Sequence, residues 1–408
     1  MSGFFKRAIF LIPLLFFVFS SFALAVTEDE CRQRQQKDID DGIACWQQLL
    51  NEVGQKKATL QSEIVKFNTS ISLTLAKIDQ TAKQIKTLET EIVGLTTQIT
   101  KLDVSLNQLS QILIKRIAAT YKKGKVEPLS LLFSSVDFSE FVSRYKYLRV
   151  MQIHDRQLMV QTENVRTNFE DQKTLKEQKQ DELQVAKRKS ESQKALLAQQ
   201  KAAKENLLQV TQNDEAKYQQ LLAQAKAQSA AFRKFVADQG GASILNNQTK
   251  CDAWGCYYNQ RDSQWGNMLI GLSNSRMADE GCLVSSVAMV AKHYGKNITP
   301  ADIASSPAAF SASTALMRKD WSDKSITVSR KGFSPSTDKI DSEINAGRPV
   351  IVGLYGSYSY PEHFIVIKSK NAGAYIMNDP FLENGADKPL TDKYNFSNIV
   401  RVDVVTIN

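Results

Sequence analysis

Histidine is almost missing from this chain: three occur in 408 residues, His154, His293 and His363. Imidazoles so few and so scattered leave no ligand spacing for a transition metal. No glycine-rich phosphate loop appears either, so no cofactor is expected. Proline is nearly as scarce through the middle, where the stretch from Trp46 to Phe235 holds one, Pro128. After residue 25 no apolar run is long enough to span a bilayer. Cysteine is limited to five: Cys31, Cys45, Cys251, Cys256 and Cys282.

The one long apolar run stands at the start. Lys6 and Arg7 precede AIFLIPLLFFVF (8–19), and Ala23-Leu24-Ala25 follows as an A-x-A cleavage site. This order predicts a signal peptide over 1–25 and a secreted, extracytoplasmic mature chain, in the periplasm or cell wall; an uncleaved membrane anchor is the alternative. An oxidising compartment permits disulfides. The spacing favours the local pairs Cys31–Cys45 and Cys251–Cys256, which leaves Cys282 over. Cys282 follows Asp279-Glu280-Gly281 and opens the apolar helical run LVSSVAMVAKHYG. The free N–H groups and positive dipole at a helix N-terminus stabilise a thiolate, so Cys282 reads as a nucleophile. A buried structural thiol is the competing reading.

Two parts of different composition meet near residue 240. In the first, Ile64, Ile71, Ile78, Ile85, Ile92, Ile99, Leu106 and Leu113 recur every seventh position. A second series holds Phe67, Leu88, Leu95, Leu102 and Leu109, with Thr74 and Thr81 as weak points. Such heptads predict a coiled-coil helix on the order of 100 Å long. The pattern breaks at 121–125 and Pro128, passes through the aromatic stretch Leu129 to Leu148, and resumes as a charged helix from about Arg149 to Asp238. Two long helices joined by a short tip predict an antiparallel hairpin over 26–239, tip near 121–145. A parallel dimer is the alternative, so the oligomeric state stays open. A linker is expected at 240–250, followed by a compact domain at 251–408.

Charge divides along the same line. Residues 251–408 carry 16 basic and 16 acidic side chains, so the formal +9 lies in the first 250 residues. A basic arm outside the cytoplasm suits anionic lipid headgroups or wall polymers, unless the charge is only a solvated helix face; nucleic acid is not an expected partner.

In the last 158 residues the elements of thiol catalysis can be sought one by one: a base, a group that orients it, and donors for an oxyanion. His154 lies in the coiled coil. His293 lies 11 residues beyond Cys282 on the same helix, roughly 16 Å away. His363, at the start of HFIVIKS, remains as the base. Folding HFIVIKS onto AYIMNDP about the turn Lys370-Asn371-Ala372-Gly373 puts His363 nearly opposite Asp379, which becomes the orienting group. Asn378 is its neighbour, and alternation points it to the other face. Gln260, in YYNQRDSQWGN, is a side-chain candidate for the oxyanion, with Gln264 as its rival and the Cys282 N–H as a second donor.

The order NQRDSQWGN, MADEGCLVSSVAMVAKHYGKNITP, HFIVI and YIMNDP resembles the papain-like cysteine peptidases related to double-glycine leader peptidases. The resemblance implies an α+β papain-like domain with the cysteine helix packed on an antiparallel sheet. It also implies Gln260 as oxyanion donor, Cys282 as nucleophile, His363 as base and Asp379 as orienter. Leader peptidases are usually fused to export transporters, and the sequence shows no such membrane part, which places double-glycine leaders outside the expected substrates.

The stretch from Arg116 to Met159 resembles the hairpin tip of secreted peptidoglycan hydrolases and activators that dock on the division complex FtsEX. This implies that Leu129, Leu131, Leu132, Phe133, Phe138 and Phe141 contact a membrane partner; internal capping of the hairpin is the competing reading. Together these readings describe a secreted cell-envelope cysteine peptidase or amidase cutting amide bonds of peptidoglycan peptides, with a coiled-coil arm that occludes the cleft until a partner withdraws it. The alternatives are a protease of secreted peptides or proteins, and a catalytically silent module that activates another wall hydrolase.

Overall fold

The computed structural model describes residues 26–123, 128–323 and 326–408. The expected signal peptide, 1–25, and the core of the expected chain break at 124–125 lie outside the described residues. Among the described residues no helix is long and apolar enough to cross a membrane.

The chain begins with two short helices, α1 (Glu28–Lys37) and α2 (Ile39–Gly54). Asp38 ends the first and caps the second, its carboxylate accepting from the N–H groups of Asp40 and Asp41. Gly42 permits their close crossing, because a Cβ there would lie 2.4 Å from the Gln35 Cα. The Cys31–Cys45 disulfide ties the two helices together. Trp46, Leu49 and Val53 bury the pair against Leu73 and Ala76 of the next helix.

Two long helices follow, α3 (Leu60–Lys123, 64 residues) and, after the single-turn α4 (Pro128–Phe133), α5 (Phe138–Thr211, 74 residues). At 1.5 Å per residue each is on the order of 100 Å long. Their cross-contacts run in opposite directions along the two sequences. Arg116 pairs with Asp155, Glu91 with Lys179, Ser70 with Gln200, and Asn68 with Lys204. The helices therefore form an antiparallel hairpin. The polar positions of the seam, Thr74 and Thr81, are buried, and each hydroxyl donates to the carbonyl one turn back. That satisfies the group without a partner from the other helix.

The helix expected to continue to Asp238 is instead two. Gln212 and Asn213 take positive φ angles of 50° and 60°, and Asp214 caps a new helix, α6 (Glu215–Asp238), by accepting from the Lys217 N–H. Asparagine tolerates the left-handed region and aspartate favours the cap, so the chain turns locally at these residues. Helix α6 thereby leaves the hairpin and lies across the C-terminal domain.

That domain is α+β. It opens with a small hairpin, β1 (Lys250–Asp252) and β2 (Gly255–Tyr257), bridged by Cys251–Cys256. The short α7 (Met277–Glu280) leads into α8 (Cys282–His293), and α9 (Pro300–Ala304) follows. The remaining elements are β3 (Asp320–Asp323), β4 (Ile326–Phe333), α10 (Thr337–Asn345), β5 (Val350–Gly356), β6 (Pro361–Asn371), β7 (Ala374–Asn378), β8 (Lys388–Pro389) and β9 (Ile399–Ile407). They build an antiparallel sheet in the order β3-β4-β9-β5-β6-β7-β8. Alternation divides its side chains: Val328, Ile351, Phe364, Val366 and Val405 pack with α8, while Val350, Val352, Ile365, Ile367 and Met377 pack with Ile340 of α10.

Candidate active site

Cys282 is the first residue of α8, with Gly281 as its N-cap. A Cβ on Gly281 would lie 2.4 Å from the Met277 carbonyl, so glycine lets α7 and α8 meet at this corner. The thiol is free and 2% exposed. Burial pushes its pKa from 9.0 up to about 12, against the lowering effect of the backbone N–H groups of Phe364, Leu283 and Cys282 itself. The helix-terminus stabilisation expected from the sequence is present, and desolvation outweighs it.

The Phe364 N–H places the thiol beside the start of β6, and His363 is the preceding residue. Its Nε2 lies 2.8 Å from Asp379 Oδ1, while its buried Nδ1 has no protein partner. Donation from Nε2–H to the carboxylate leaves Nδ1 as the lone-pair nitrogen. The two residues meet diagonally rather than face to face. The β6–β7 register pairs Val366 with Asn378, and a shift between Ile367 and Ser369 separates it from the turn. Asp379 therefore falls near Ile365, and the longer His363 side chain reaches back to it.

Asp379 is fully buried and accepts from several donors. The N–H groups of Phe381 (2.8 Å) and Leu382 (3.4 Å) reach Oδ1, and the Tyr394 hydroxyl reaches Oδ2 at 2.7 Å. Burial would raise this carboxyl, but His363, Tyr394 and the Phe381 N–H together hold it below its usual value. Tyr394 was not foreseen from the sequence; it lies 15 residues beyond Asp379 in a segment with no motif. Asn378 instead accepts from the Asp387 N–H.

Gln260 is buried, with its Nε2 donating to Ala278 O at 2.8 Å and its Oε1 unpartnered. Its backbone N–H donates to Pro380 O, which ties it to the segment just after Asp379. Gln264 is directed elsewhere, toward Thr249 and Asp262. His293 stacks on Trp254 and bonds Trp254 O and Gly347 O, remote from the thiol along α8. The fold thus brings Cys282, His363, Asp379 and Gln260 to one end of the sheet.

Helix α6 packs over these residues. The Phe235 ring stacks on the His363 imidazole at 4.1 Å, with the planes 5° apart, and Phe232 meets Phe364 edge-on. Gln228 donates to Pro361 O, Ser229 and Arg233 bond Glu280, and Lys234 pairs with Glu362.

Residues 256–401 match the family model of the Peptidase_C39-like family. The C-terminal domain is a peptidase C39-like domain. Residues 99–172 match the coiled-coil domain of the peptidoglycan hydrolase PcsB. No curated protein and no solved structure matches the chain. The PcsB-type match covers the distal hairpin, where Leu129, Leu132, Phe133 and Phe138 are exposed. Leu131 and Phe141 are half-buried, and Phe141 packs between Phe138 and Tyr145. The family match begins where the second disulfide closes, at Cys256, and ends within β9.

Proposed function

We propose that the chain is an extracytoplasmic cysteine peptidase or amidase that cuts peptide amide bonds of peptidoglycan, held closed by α6. The carrying observation is a free cysteine at a helix N-terminus beside a His–Asp pair, within a peptidase C39-like domain joined to a PcsB-type coiled coil. In the open state His363 Nδ1 takes the proton of Cys282, and the thiolate attacks the amide carbonyl. The Gln260 amide and backbone N–H groups at the start of α8 receive the developing oxyanion. His363 then protonates the leaving amine, and water hydrolyses the thioester with the same imidazole as base. Asp379 keeps the ring in the required tautomer throughout.

In the closed state Phe235 covers the imidazole and the thiol is neutral, so the domain is silent until α6 moves. The exposed apolar residues of the hairpin tip form the contact for a membrane partner of the FtsEX kind, and force on the arm would lift α6 through the 212–214 break. The ion pairs made by Arg233 and Lys234 hold the clasp from outside the reacting groups. Digestion of purified peptidoglycan by the mature chain, by Arg233→Glu/Lys234→Glu and by the same variant carrying Cys282→Ala tests this reading. Fragments released by the double variant and absent with Cys282→Ala support it. No release from the double variant, with Cys282 alkylated normally, points to another peptide substrate; an inert thiol points to a silent binding module.

A further inference from the structure

A cleft of about 580 Å³ runs from the start of α8 along the sheet face beneath α6. Near the thiol its walls are Glu280, Leu283, Val284 and Phe364, and its far wall is Arg330, Arg401 and Tyr358. The registers fix the distance between the two ends. Arg401 pairs across β9 and β5 with Gly353, and Gly353 pairs across β5 and β6 with Phe364. Directly paired residues point to the same face, and adjacent strands lie about 4.8 Å apart, so the Arg401 backbone is about 10 Å from that of Phe364. Gly353 makes room for the Pro361 ring, which would lie 2.6 Å from a Cβ at this position.

The charges at the far wall do not balance. Asp403 is fully buried between two guanidinium groups, receiving Arg330 Nη1 at 3.1 Å and Arg401 Nε at 2.7 Å. Arg330 spends its other terminal nitrogen on the carbonyls of Met317 and Arg318, and its buried Nε has no partner. Among the described residues Arg401 makes no hydrogen bond beyond the one from Nε, and its guanidinium lies 5.6 Å from the Tyr358 ring centre. One carboxylate thus serves as the ion-pair partner of both guanidinium groups. A cluster kept only for folding would need a single arginine, because each further buried charge carries a desolvation cost.

Asp320 adds an attraction for Arg330, but among the described residues no carboxylate other than Asp403 pairs with Arg401. The residues of α6 that line the cleft are Leu221, Gln224, Gln228 and Phe232, none of them acidic. The acidic residues of the lining are engaged elsewhere, Glu280 with Ser229 and Arg233, and Asp320 with the Ser329 hydroxyl.

We infer that Arg401, backed by Arg330 and Asp403, is a specificity site for a free carboxylate carried by the peptide substrate along the cleft from the scissile amide. An arginine already held at Nε presents its two terminal nitrogens as a fork, the geometry that a carboxylate accepts in bidentate fashion. The substrate class is then an acidic peptide rather than a neutral one. This rests on the cysteine-hydrolase reading and narrows it.

The test uses the full mature chain carrying Phe235→Ala, a residue outside this cleft. Cys282 is alkylated with a series of iodoacetamido-alkanoates of increasing chain length, each beside its carboxamide twin, and followed by intact mass. The expected result is a preference of tenfold or more for the acid over its twin, with a maximum at one chain length in the series. Adding Arg401→Gln should bring the ratio to near one while the rate of each carboxamide stays unchanged. Arg401→Lys should retain part of the preference, and thermal melts of both variants show that the fold is kept. An equal rate for acid and twin at every length overturns the carboxylate site and leaves the nucleophile standing. A preference that survives Arg401→Gln also overturns it, since a diffuse positive field would then be the cause. No labelling of any kind removes the hydrolase reading and this inference with it.

Discussion

The Phe235 ring lies flat on the imidazole of His363, centroids 4.1 Å apart, while the carboxylate of Asp379 holds the ring edge through Nε2. The aromatic face covers one face of the buried imidazole. A helix outside the peptidase C39-like domain therefore shares a packed interface with this histidine.

Phe235→Ala should expose the site without removing a reacting atom. The alkylation rate of Cys282 by iodoacetamide is expected to rise at least tenfold. Truncating a buried phenylalanine costs about 3 kcal/mol, so the melting temperature should fall as well. An unchanged alkylation rate would mean that α6 does not limit access.

The Cys282 thiol, pushed up to about 12 by burial, should make alkylation of the closed chain climb steadily with pH beyond 9. In the Phe235→Ala chain the rate should level off at a lower pH, because water and a freed His363 favour the thiolate. For stability the sign is that of a raised folded pKa. The contribution is whole below 9.0, the unfolded value, and fades as pH climbs toward 12. Denaturant melts with and without Cys282→Ala read this difference.

Asp379 carries the opposite sign. Its carboxyl is held below 3.8, so its contribution to stability is present above that pH and lost on acidification through the lowered folded value. Asp379→Asn should flatten the acid limb of the stability curve. Tyr394→Phe removes the 2.7 Å bond to Oδ2, a charge-assisted contact whose loss costs about 1.5–3 kcal/mol. It should lower turnover of an opened chain about tenfold with KM nearly unchanged, because the phenol positions the carboxylate and does not touch substrate.

The Cys31–Cys45 bridge closes a short loop, with a sequence separation of 14. Cys31→Ser/Cys45→Ser should therefore cost about 3 kcal/mol at the base of the hairpin. Differential hydrogen exchange should show the loss in α1, α2 and the start of α3, with the sheet of the peptidase C39-like domain unaffected. Loosening in the sheet would show that the arm and the domain fold as one unit.

Legibility varied with the range of the interaction. Period-seven isoleucines in α3 announce a helix because the pattern and the structure share the same local repeat. The cysteine and histidine of the site were accessible through scarcity, since few residues of either type compete. Asp379 was reached through a hairpin, although the shift near Ser369 made the meeting diagonal. Tyr394 left no local signal, because a single phenol far along the chain looks like any core tyrosine. The break at 212–214 is hidden for another reason: a short polar Gln-Asn-Asp run within a polar helix scarcely alters composition.

By itself the sequence determined the long heptad helices, the local cysteine pairing, and an α+β domain with a helix-borne thiol. Each follows from periodicity, close spacing or residue type, which act over short stretches of chain. Only the tertiary structure decided that α6 leaves the hairpin, that Phe235 covers His363, and that two arginines converge on Asp403. Those outcomes depend on which surfaces fit together. The apolar face of α6, with Phe232, Phe235 and Val236, would serve equally well in a coiled-coil seam, and shape and desolvation on β6 select its place.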